Sequence, residues 1–237
     1  QRRNRVHEHI VVISGSAPLA PHVINTLPDE AIILAADGGL DHALAAGLTP
    51  SSLIGDLDSV SPAGLAWAEA NATISRHSAD KDQTDTELAL ASAAEMHPAR
   101  ITLVGGGNRL DHSITAIGAL GHRGLMLIPR VDGWWNGEHL DVLHGPGELQ
   151  LTLPPASTLS LVALHGPCAG VSISGTRWAL DSVDLAPLVG WGVSNEVGPG
   201  GVVSIRISAG ILTIFNASTP TPPTPPTEPP PPTESHS

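Results

Sequence analysis

Short apolar runs alternate with Ala- and Leu-rich stretches over the first part of the chain. The runs are "HIVVIS", "AIILAAD", "LIGD", "RITLVGG" and "LMLIPR", and the stretches between them include "LDHALAAG" and "DTELALASAAEMH". Because the runs are continuously apolar, we expect strands that are buried on both faces. The pattern predicts a parallel sheet covered by helices, a three-layer α/β domain over residues 9–130.

The periodicity changes near residue 131. The segments "ELQLTL", "TLSLVAL", "GVSISG", "VVSIRIS" and "GILTIFN" alternate apolar and polar residues and are separated by Gly, Pro and Ser. This pattern predicts an antiparallel β-sandwich domain over residues 131–216. Residues 217–237 are rich in Pro and Thr, so we expect a disordered tail with polyproline II character.

Composition and charge limit the classes of partner and the compartment that we expect for this chain. The chain has 237 residues and a formal net charge of −12, which opposes binding to nucleic acid or to an anionic membrane surface. It contains no apolar stretch near the roughly 18 residues of a membrane span. The basic N-terminus is followed by an apolar run of only four residues, too short for a signal peptide. With Cys168 as the single cysteine, these features favour a cytoplasmic protein.

Two aspartates follow a buried strand in "LIGDLDSV". Asp56 and Asp58 are separated by one residue at the point where the apolar run stops. Short carboxylates at this spacing can converge on a hard cation, although Asp is also an ordinary turn residue. In "AADGG", Asp37 and Gly38 end another strand, where glycine lets a ligand approach the backbone. Both pairs are candidate site residues.

A third element is "DKDQTDTELAL". Thr84 and Glu87 form a capping box that predicts a helix, with Asp85 in its first turn. An acidic residue there also stabilises a helix through the macrodipole and needs no function. Lys81 is the only lysine, whereas the other ten cationic residues are arginines. This bias indicates a need for a compact ammonium at residue 81.

A fourth element is "LVGGGNRLDHSITAIGAL". A strand runs into Gly106 and Gly107, and a helix begins near Asp111. Amide groups of such a turn and helix N-terminus can bind phosphate, and Arg109 can add a bidentate contact. The Walker A sequence is absent. Since all four elements end predicted parallel strands, they meet at the sheet edge where α/β proteins bind ligands. Together they predict a site for Mg²⁺ and a polyphosphate.

These motifs, in this order, resemble the thiamine pyrophosphokinase (thiamine diphosphokinase) family. The resemblance rests on "ADGGLDHALAAGLTPSSLIGDLDSV", "KDQTDTELAL" and "NRLDH", continues with "GTRWAL" and "GVSNE", and covers residues 9–216. It implies transfer of the pyrophosphoryl group of ATP to the hydroxyl of thiamine, giving thiamine diphosphate and AMP. It also implies an α/β domain followed by a β-sandwich, a homodimer, and thiamine sites formed between subunits.

The resemblance assigns roles by residue. The metal ligands it implies are Asp37, Asp56, Asp58 and Asp85. The ATP-binding residues are Asp37, Gly38, Lys81, Gly106, Gly107, Arg109 and Asp111. The catalytic residues are Asp58, Asp85 and Lys81, and the thiamine contacts are Trp178, Ser194, Asn195 and Asp85.

Physical chemistry supports the thiamine contacts in part. Trp178 could attract the cationic thiazolium by about 0.5 to 2 kcal/mol, and Ser194 and Asn195 could bond the pyrimidine. Outside the resemblance, such a Trp is more often a core or interface residue. One position departs from the family: Asn108 stands where a glycine is usual. We expect it to be accommodated because Asn tolerates positive φ.

The sequence therefore predicts a cytoplasmic, Mg²⁺-dependent thiamine diphosphokinase. Asp85 or Asp58 would orient or deprotonate the thiamine hydroxyl, with chiefly electrostatic catalysis. One alternative is the same chemistry on a hydroxymethylpterin. Another is a noncatalytic nucleotide- or metal-binding module on the same fold.

Overall fold

A ten-stranded mixed β-sheet runs through the computed structural model, which describes residues 9–15 and 17–216. The prediction for the tail, residues 217–237, lies outside the described residues. Six strands of the sheet are mutually parallel: β1 (His9–Ile13), β2 (Ile32–Ala36), β3 (Ser52–Gly55), β4 (Thr73–Arg76), β5 (Arg100–Gly105) and β6 (Arg130–Trp135).

Helices cover both faces of these strands. They are α1 (Pro21–Ile24), α2 (Gly39–Ala45), α3 (Pro62–Asn71), α4 (Asp85–Glu95) and α5 (Leu110–Ala119). Alternate residues of β1 reach different layers: Ile10 shares a buried cluster with Leu90 of α4, whereas Val11 shares one with Val23 of α1 and Ala43 of α2. The predicted three-layer α/β architecture is confirmed. None of the helices in the described ranges is long and apolar enough to cross a bilayer.

The remaining strands build a sandwich. They are β7 (Glu138–His144), β8 (Gly147–Thr152), β9 (Thr158–Val162), β10 (Cys168–Ser174), β11 (Leu180–Leu185), β12 (Asn195–Glu196), β13 (Val202–Ile207) and β14 (Ile211–Asn216). A four-stranded sheet, in the order β11-β10-β13-β8, packs against β7, β14 and β9 through residues such as Leu161, Ile205 and Leu212. The predicted antiparallel sandwich is confirmed.

The sandwich shares one of its two sheets with the α/β domain. The sequence pattern did not indicate this connection. Its second sheet continues the parallel sheet, in the order β12-β9-β14-β7-β6-β5-β1-β2-β3-β4. The strand β6 pairs in parallel with β5 from Arg130 onward, and β7 then pairs with β6 in antiparallel register. One sheet therefore passes through both units, and the division at residue 131 stays a prediction.

One predicted strand is wrong. Only Leu125, the first residue of the run "LMLIPR", belongs to a short 3-10 turn at Arg123–Leu125; the following residues are irregular, and β6 begins only at Arg130. Within the run, Leu125 and Ile128 are buried, whereas Leu127 is 89% exposed. Burial three residues apart suits a turn of helix rather than a strand, and Pro129 lacks the backbone donor of a ladder. Sequence analysis also missed β4, β6, β7, β11 and β12.

Candidate functional site

A cleft of about 430 Å³ opens at the C-terminal edge of the parallel strands. Its wall comprises the ends of β1, β2 and β5 together with the first turns of α2, α4 and α5. Among the predicted site residues, six line this cleft: Asp37, Gly38, Asp85, Gly106, Gly107 and Arg109. Their shared location agrees with the binding edge expected for an open α/β sheet.

Three aspartates converge beside the cleft. Carboxylate oxygens of Asp37, Asp56 and Asp58 all lie within 4.8 Å of one another. Lys81 adjoins them, with its Nζ 3.3 Å from Asp56 Oδ2 and 3.1 Å from Asp85 Oδ1. We call these five residues the cleft cluster. Ionised, its four carboxylates and one ammonium leave a net charge of −3.

Unusual backbone geometry permits this convergence. Asp37 has a φ of 45° and Leu57, between the other two aspartates, has a φ of 70°. Positive φ is rare for a leucine, and burial of the Leu57 side chain helps to hold it. A Cβ at Gly55 would come within 3.0 Å of Asp85 Cγ and 3.2 Å of Asp37 Cβ. Glycine at residue 55 therefore lets Asp37 and Asp85 approach each other.

The first turn of α4 positions Asp85. Thr84 accepts a hydrogen bond from the Glu87 N–H, and the Glu87 carboxylate accepts one from the Thr84 N–H, so the predicted capping box is confirmed. This cap satisfies amide groups that otherwise attract an anion. Asp85 is consequently held by helix geometry and by Lys81, one turn earlier in the chain.

Burial and neighbouring groups shift the pKa values of three residues in the cleft cluster. Burial raises the pKa of Asp37 above its ordinary value; hydrogen bonds from Ser59 and Gly38 oppose part of this rise, and the charges of Asp85 and Asp58 add to it. The Asp58 N–H bond lowers the pKa of Asp56, and Lys81 adds to that shift. Burial alone would lower the pKa of the Lys81 ammonium, but the carboxylates of Asp85 and Asp56 more than offset it and hold the pKa high. Lys81 therefore stays charged.

The donor set of the cleft cluster fits a magnesium ion. Carboxylate oxygens are the ligands that Mg²⁺ prefers, and the net negative charge needs a cation. Asp37 Oδ1 is buried and has no hydrogen-bond partner among the described residues. A buried carboxylate oxygen without a partner is costly unless a ligand satisfies it.

The glycine-rich loop leads into α5 at the same edge. Arg109 is the N-cap of α5, and no side chain caps this helix within the described chain, in contrast to α3 and α4. Arg109 Nη2 donates to Asp111 Oδ2 at 2.6 Å, and both side chains are mostly exposed. Gly107 has a φ of 149°, whereas Asn108 does not have positive φ. Asn108 is thus accommodated without the left-handed conformation that we expected it to need.

The predicted thiamine contacts lie elsewhere. Asn195 is buried, and its side chain pairs with the backbone of Trp178: Oδ1 accepts from the Trp178 N–H at 3.1 Å and Nδ2 donates to the Trp178 carbonyl at 2.6 Å. Trp178 is 53% exposed, and the Arg177 guanidinium lies 4.7 Å from its ring centroid. Ser194 is exposed. Asn195 therefore positions Trp178, and direct contact of Asn195 with thiamine stays a prediction.

The predicted thiamine contacts and the cleft cluster lie far apart within one chain. Asn195 lies in β12 at one end of the ten-stranded sheet, whereas Asp37 follows β2, seven strands away. With strands about 4.8 Å apart, the lateral separation is on the order of 30 Å. A molecule of the size of thiamine cannot contact Trp178 and the cleft cluster of the same chain.

A second acidic group lies inside the sheet. Asp132 is fully buried and accepts from Arg100 Nε at 2.6 Å, and the buried Asp141 accepts from Arg130 Nη2 at 2.6 Å. We call these four residues the Arg–Asp cluster. His139 completes a possible ligand set with both aspartates. Because two guanidiniums already neutralise the carboxylates, this cluster lacks the excess negative charge of a cation site.

Sequence analysis missed several residues of the cleft. Ser14 follows β1, lines the cleft and hydrogen-bonds Thr86 of α4. Trp135 also lines it and donates from Nε1 to Ser113 Oγ at 3.0 Å. A polar residue directly after an apolar run was the only available signal for Ser14. For Trp135 there was none, because its contact depends on the β5–β6 pairing.

Family models match both units of the chain. "Thiamin pyrophosphokinase, catalytic domain" matches residues 24–125, and "Thiamin pyrophosphokinase, vitamin B1 binding domain" matches residues 148–212. The chain belongs to the thiamin pyrophosphokinase family. The first range contains every residue of the cleft cluster, and the second contains Trp178, Ser194 and Asn195.

Similar proteins agree with this membership. The thiamine pyrophosphokinase of Bacillus subtilis (strain 168) is 33% identical over 104 residues, a match that covers 43% of this chain and about half, 49%, of that protein. A crystal structure of thiamine pyrophosphokinase from Bacillus subtilis superposes with a TM-score of 0.75 at 22% identity, covering 89% of this chain and 99% of that one. Thiamin pyrophosphokinase from Geobacillus thermodenitrificans gives 0.73 at 23% identity, covering 90% and 99%. The enzyme from Candida albicans gives 0.69 at 15% identity, covering 89% and 90%. These structural likenesses establish the thiamin pyrophosphokinase fold.

Proposed function

We propose that this chain is a thiamine diphosphokinase, which transfers the β,γ-pyrophosphoryl group of ATP to the hydroxyl of thiamine. The observation that carries the proposal is the cleft cluster: four carboxylates and one ammonium at the ligand-binding edge of the sheet, in a chain that matches both the catalytic and the vitamin B1 binding models. Pyrophosphoryl transfer needs positioning and charge neutralisation above all, and this edge offers both.

Different residues of this edge are assigned to the metal ion and to the phosphate groups. Asp37, Asp56 and Asp58 would hold Mg²⁺, which supplies charge neutralisation for the triphosphate when bound. The uncapped N-terminus of α5 supports an assignment to phosphate oxygens, with Arg109 beside it in the cleft wall. Lys81 supplies an ammonium that is fixed between Asp56 and Asp85.

The transfer exchanges one phosphorus–oxygen bond for another. The thiamine hydroxyl oxygen forms a bond to the β-phosphorus, the bond from that phosphorus to the oxygen bridging to the α-phosphorus breaks, and AMP leaves with that oxygen. The hydroxyl proton passes to Asp85, to Asp58 or to solvent. Asp85 is the better placed of the two carboxylates because it lines the cleft itself. Proton transfer is expected late, since a primary alcohol is a very weak acid.

The acceptor site requires a second copy of the chain. Because Trp178 lies on the order of 30 Å from the cleft cluster of its own chain, a homodimer that brings Trp178 to the partner's cleft resolves the separation. Arg177 lies over the ring of Trp178, so its positive charge opposes a thiazolium at that face. We therefore place the acceptor on the other face of the indole.

The test is a product assay. Purified protein is incubated with ATP, Mg²⁺ and either thiamine or a hydroxymethylpterin, with an Asp58→Asn variant as the control for contaminating kinases. We expect AMP and thiamine diphosphate in equal amounts from the wild-type protein. A diphosphate ester of the pterin, or ADP as the nucleotide product, would contradict the proposed reaction. Nucleotide binding without any transfer would identify a noncatalytic module.

A further inference from the structure

The hairpin between β6 and β7 holds the glycine-rich loop of the cleft. Its turn consists of Asn136 and Gly137, with φ of 52° and 81°. Such Asn-Gly turns fit the twist of paired strands because both residues tolerate positive φ. The Asn136 N–H donates to the Gly105 carbonyl at 3.0 Å and ends the β5–β6 ladder. The turn therefore lies directly beside the loop that follows β5.

The Asn136 side chain extends this pairing by two hydrogen bonds. Its Oδ1 accepts from the Gly107 N–H at 2.8 Å, and its Nδ2 donates to the Gly107 carbonyl at 3.2 Å. A Cβ at Gly106 would collide with Asn136 Oδ1, so the glycine at 106 is required by this contact. The amide thus contacts Gly107 much as a neighbouring strand would, although Gly107 lies outside any strand.

Gly107 matters because it sets the path from β5 into α5. Both Gly106 and Gly107 line the cleft, as does Arg109 at the N-cap of α5. Without a side chain of its own and with a φ of 149°, Gly107 has wide conformational freedom. The two bonds from Asn136 remove that freedom. They also occupy the Gly107 N–H, which leaves the N-terminal amides of α5 as the donors to phosphate.

We infer that Asn136 is a positioning residue for nucleotide binding: it fixes the glycine-rich loop in the conformation that presents the α5 N-terminus and Arg109 to the polyphosphate. The inference rests on the proposed function, because it takes the cleft to be the ATP site. Asn136 acts through Gly107 and has no assigned contact with either substrate. Its loss should therefore weaken ATP binding and leave thiamine binding unchanged.

The decisive variant is Asn136→Gly. Glycine keeps the positive φ that the turn needs and removes both side-chain hydrogen bonds. We expect the Kd for a nonhydrolysable ATP analogue with Mg²⁺, measured by calorimetry, to rise about tenfold, because without these two bonds the loop would populate the binding conformation only about a tenth of the time. The KM for thiamine at saturating ATP should change by less than about twofold, with the melting temperature within about 4 °C of wild type.

A second variant separates geometry from charge. Asn136→Asp keeps an acceptor for the Gly107 N–H, loses the donor to the Gly107 carbonyl and adds a negative charge near the polyphosphate. Its Kd for the analogue should also rise, and part of that rise should disappear at about 1 M salt because the added charge is screened. The rise in Asn136→Gly should persist at that salt concentration.

The matched control is Asn71→Gly. Asn71 ends α3, and its side chain donates a single hydrogen bond to the Trp67 carbonyl at 2.8 Å. This variant should bind the analogue as wild type does.

Equal Kd values for wild type and Asn136→Gly would overturn the inference. A parallel loss of ATP and thiamine binding with a large fall in melting temperature would also overturn it. Wild-type protein that fails to bind the analogue would overturn the proposed function as well, whereas binding without thiamine transfer would contradict only the acceptor.

Discussion

The cleft cluster and the Arg–Asp cluster hold similar side chains in opposite electrostatic states. Both bring aspartates together on the same sheet, and both offer carboxylate oxygens within 4.8 Å of one another. In the Arg–Asp cluster, Arg100 and Arg130 bond the two carboxylates at 2.6 Å, so the charges cancel. In the cleft cluster, Lys81 alone opposes four carboxylates. Proximity of acidic groups therefore does not identify a site, whereas uncompensated charge does.

The difference follows from position in the fold. The Arg–Asp cluster lies within β5, β6 and β7, where burial would make an unpaired carboxylate very costly. The cleft cluster lies on the loops after β2 and β3 and at the start of α4, where solvent or a ligand can meet the charge. The first cluster is expected to serve stability and the second to serve binding.

The largest effect is expected from Asp132→Asn. Asp132 is fully buried and also accepts from Thr102 Oγ1 at 2.5 Å. The free energy of unfolding in urea should fall by about 3 kcal/mol, the low end for breaking a buried pair, because Arg100 and Arg130 are each about a third exposed. Turnover per folded molecule should be retained. Unchanged stability would mean that the pairing contributes nothing.

An Asp→Asn substitution in the cleft cluster should instead lower turnover without lowering stability. Asp58→Asn should lower turnover at least about tenfold, or 1.4 kcal/mol, because one carboxylate of the Mg²⁺ set loses its charge with little change of shape. Stability in the absence of ligand should be equal or higher, since like-charge repulsion is relieved. Near-normal turnover in both Asp58→Asn and Asp56→Asn would refute the metal assignment.

A smaller effect is expected from Lys81→Arg. Lys81 Nζ fits between two carboxylates at 3.3 and 3.1 Å, and the side chain is 17% exposed. A planar guanidinium keeps the charge but not this point contact, so turnover should fall by roughly threefold to tenfold. Arg206→Lys, on the sandwich, serves as the matched control and should be neutral. Kinetics of Lys81→Arg identical to wild type would make the sole lysine an accident of composition.

The smallest effect is expected at His9, beside the Arg–Asp cluster, and concerns the dependence of stability on pH. Burial first, and then the charge of Arg100, lower the pKa of His9, whose Nε2 lies 2.7 Å from Thr102 Oγ1. The unfolded chain therefore takes up this proton at a higher pH than the folded chain does. Stability contributed by neutral His9 is present above pH 6.5 and is lost as pH falls below it. Urea unfolding of His9→Gln should depend less on pH in that range, and an unchanged dependence would contradict the assignment.

The sequence predicted the cleft better than it predicted the sheet. Asp37, Asp56, Asp58 and Asp85 were found because each follows an apolar run or opens a capped helix, which are local signals. The loop path into α5 and the capping box of α4 were found in the same way. Lys81 was found by composition, as the only lysine of the chain.

Features that depend on pairing between distant segments could not be predicted in this way. The Arg–Asp cluster joins residues on three strands, and the union of sandwich and parallel sheet depends on β7 pairing with β6. The "NG" at residues 136–137 did carry a hairpin signal that would have located β6 and β7. Its contact with Gly107, however, depends on β5 being the neighbour of β6.

The proposed shared site joins the cleft of one chain to Trp178 of another, and subunit mixing tests it most directly. Trp178→Ala keeps the cleft cluster and Asp58→Asn keeps Trp178, so each homodimer should be nearly inactive. After subunit exchange, verified by mass, activity should approach about one quarter of wild type per subunit, since half of the dimers are mixed and each regains one site. Activity that stays at the level of the parents would contradict the shared site.

A reversed mixture sharpens the same measurement. When wild type is exchanged with the Trp178→Ala, Asp58→Asn double variant in equal amounts, a shared site leaves about one quarter of wild-type activity, because only wild-type homodimers work. A site built within one chain leaves about one half, because every wild-type subunit still works. We predict one quarter in both mixtures; one half in the reversed mixture, with no recovery in the first, would contradict the account.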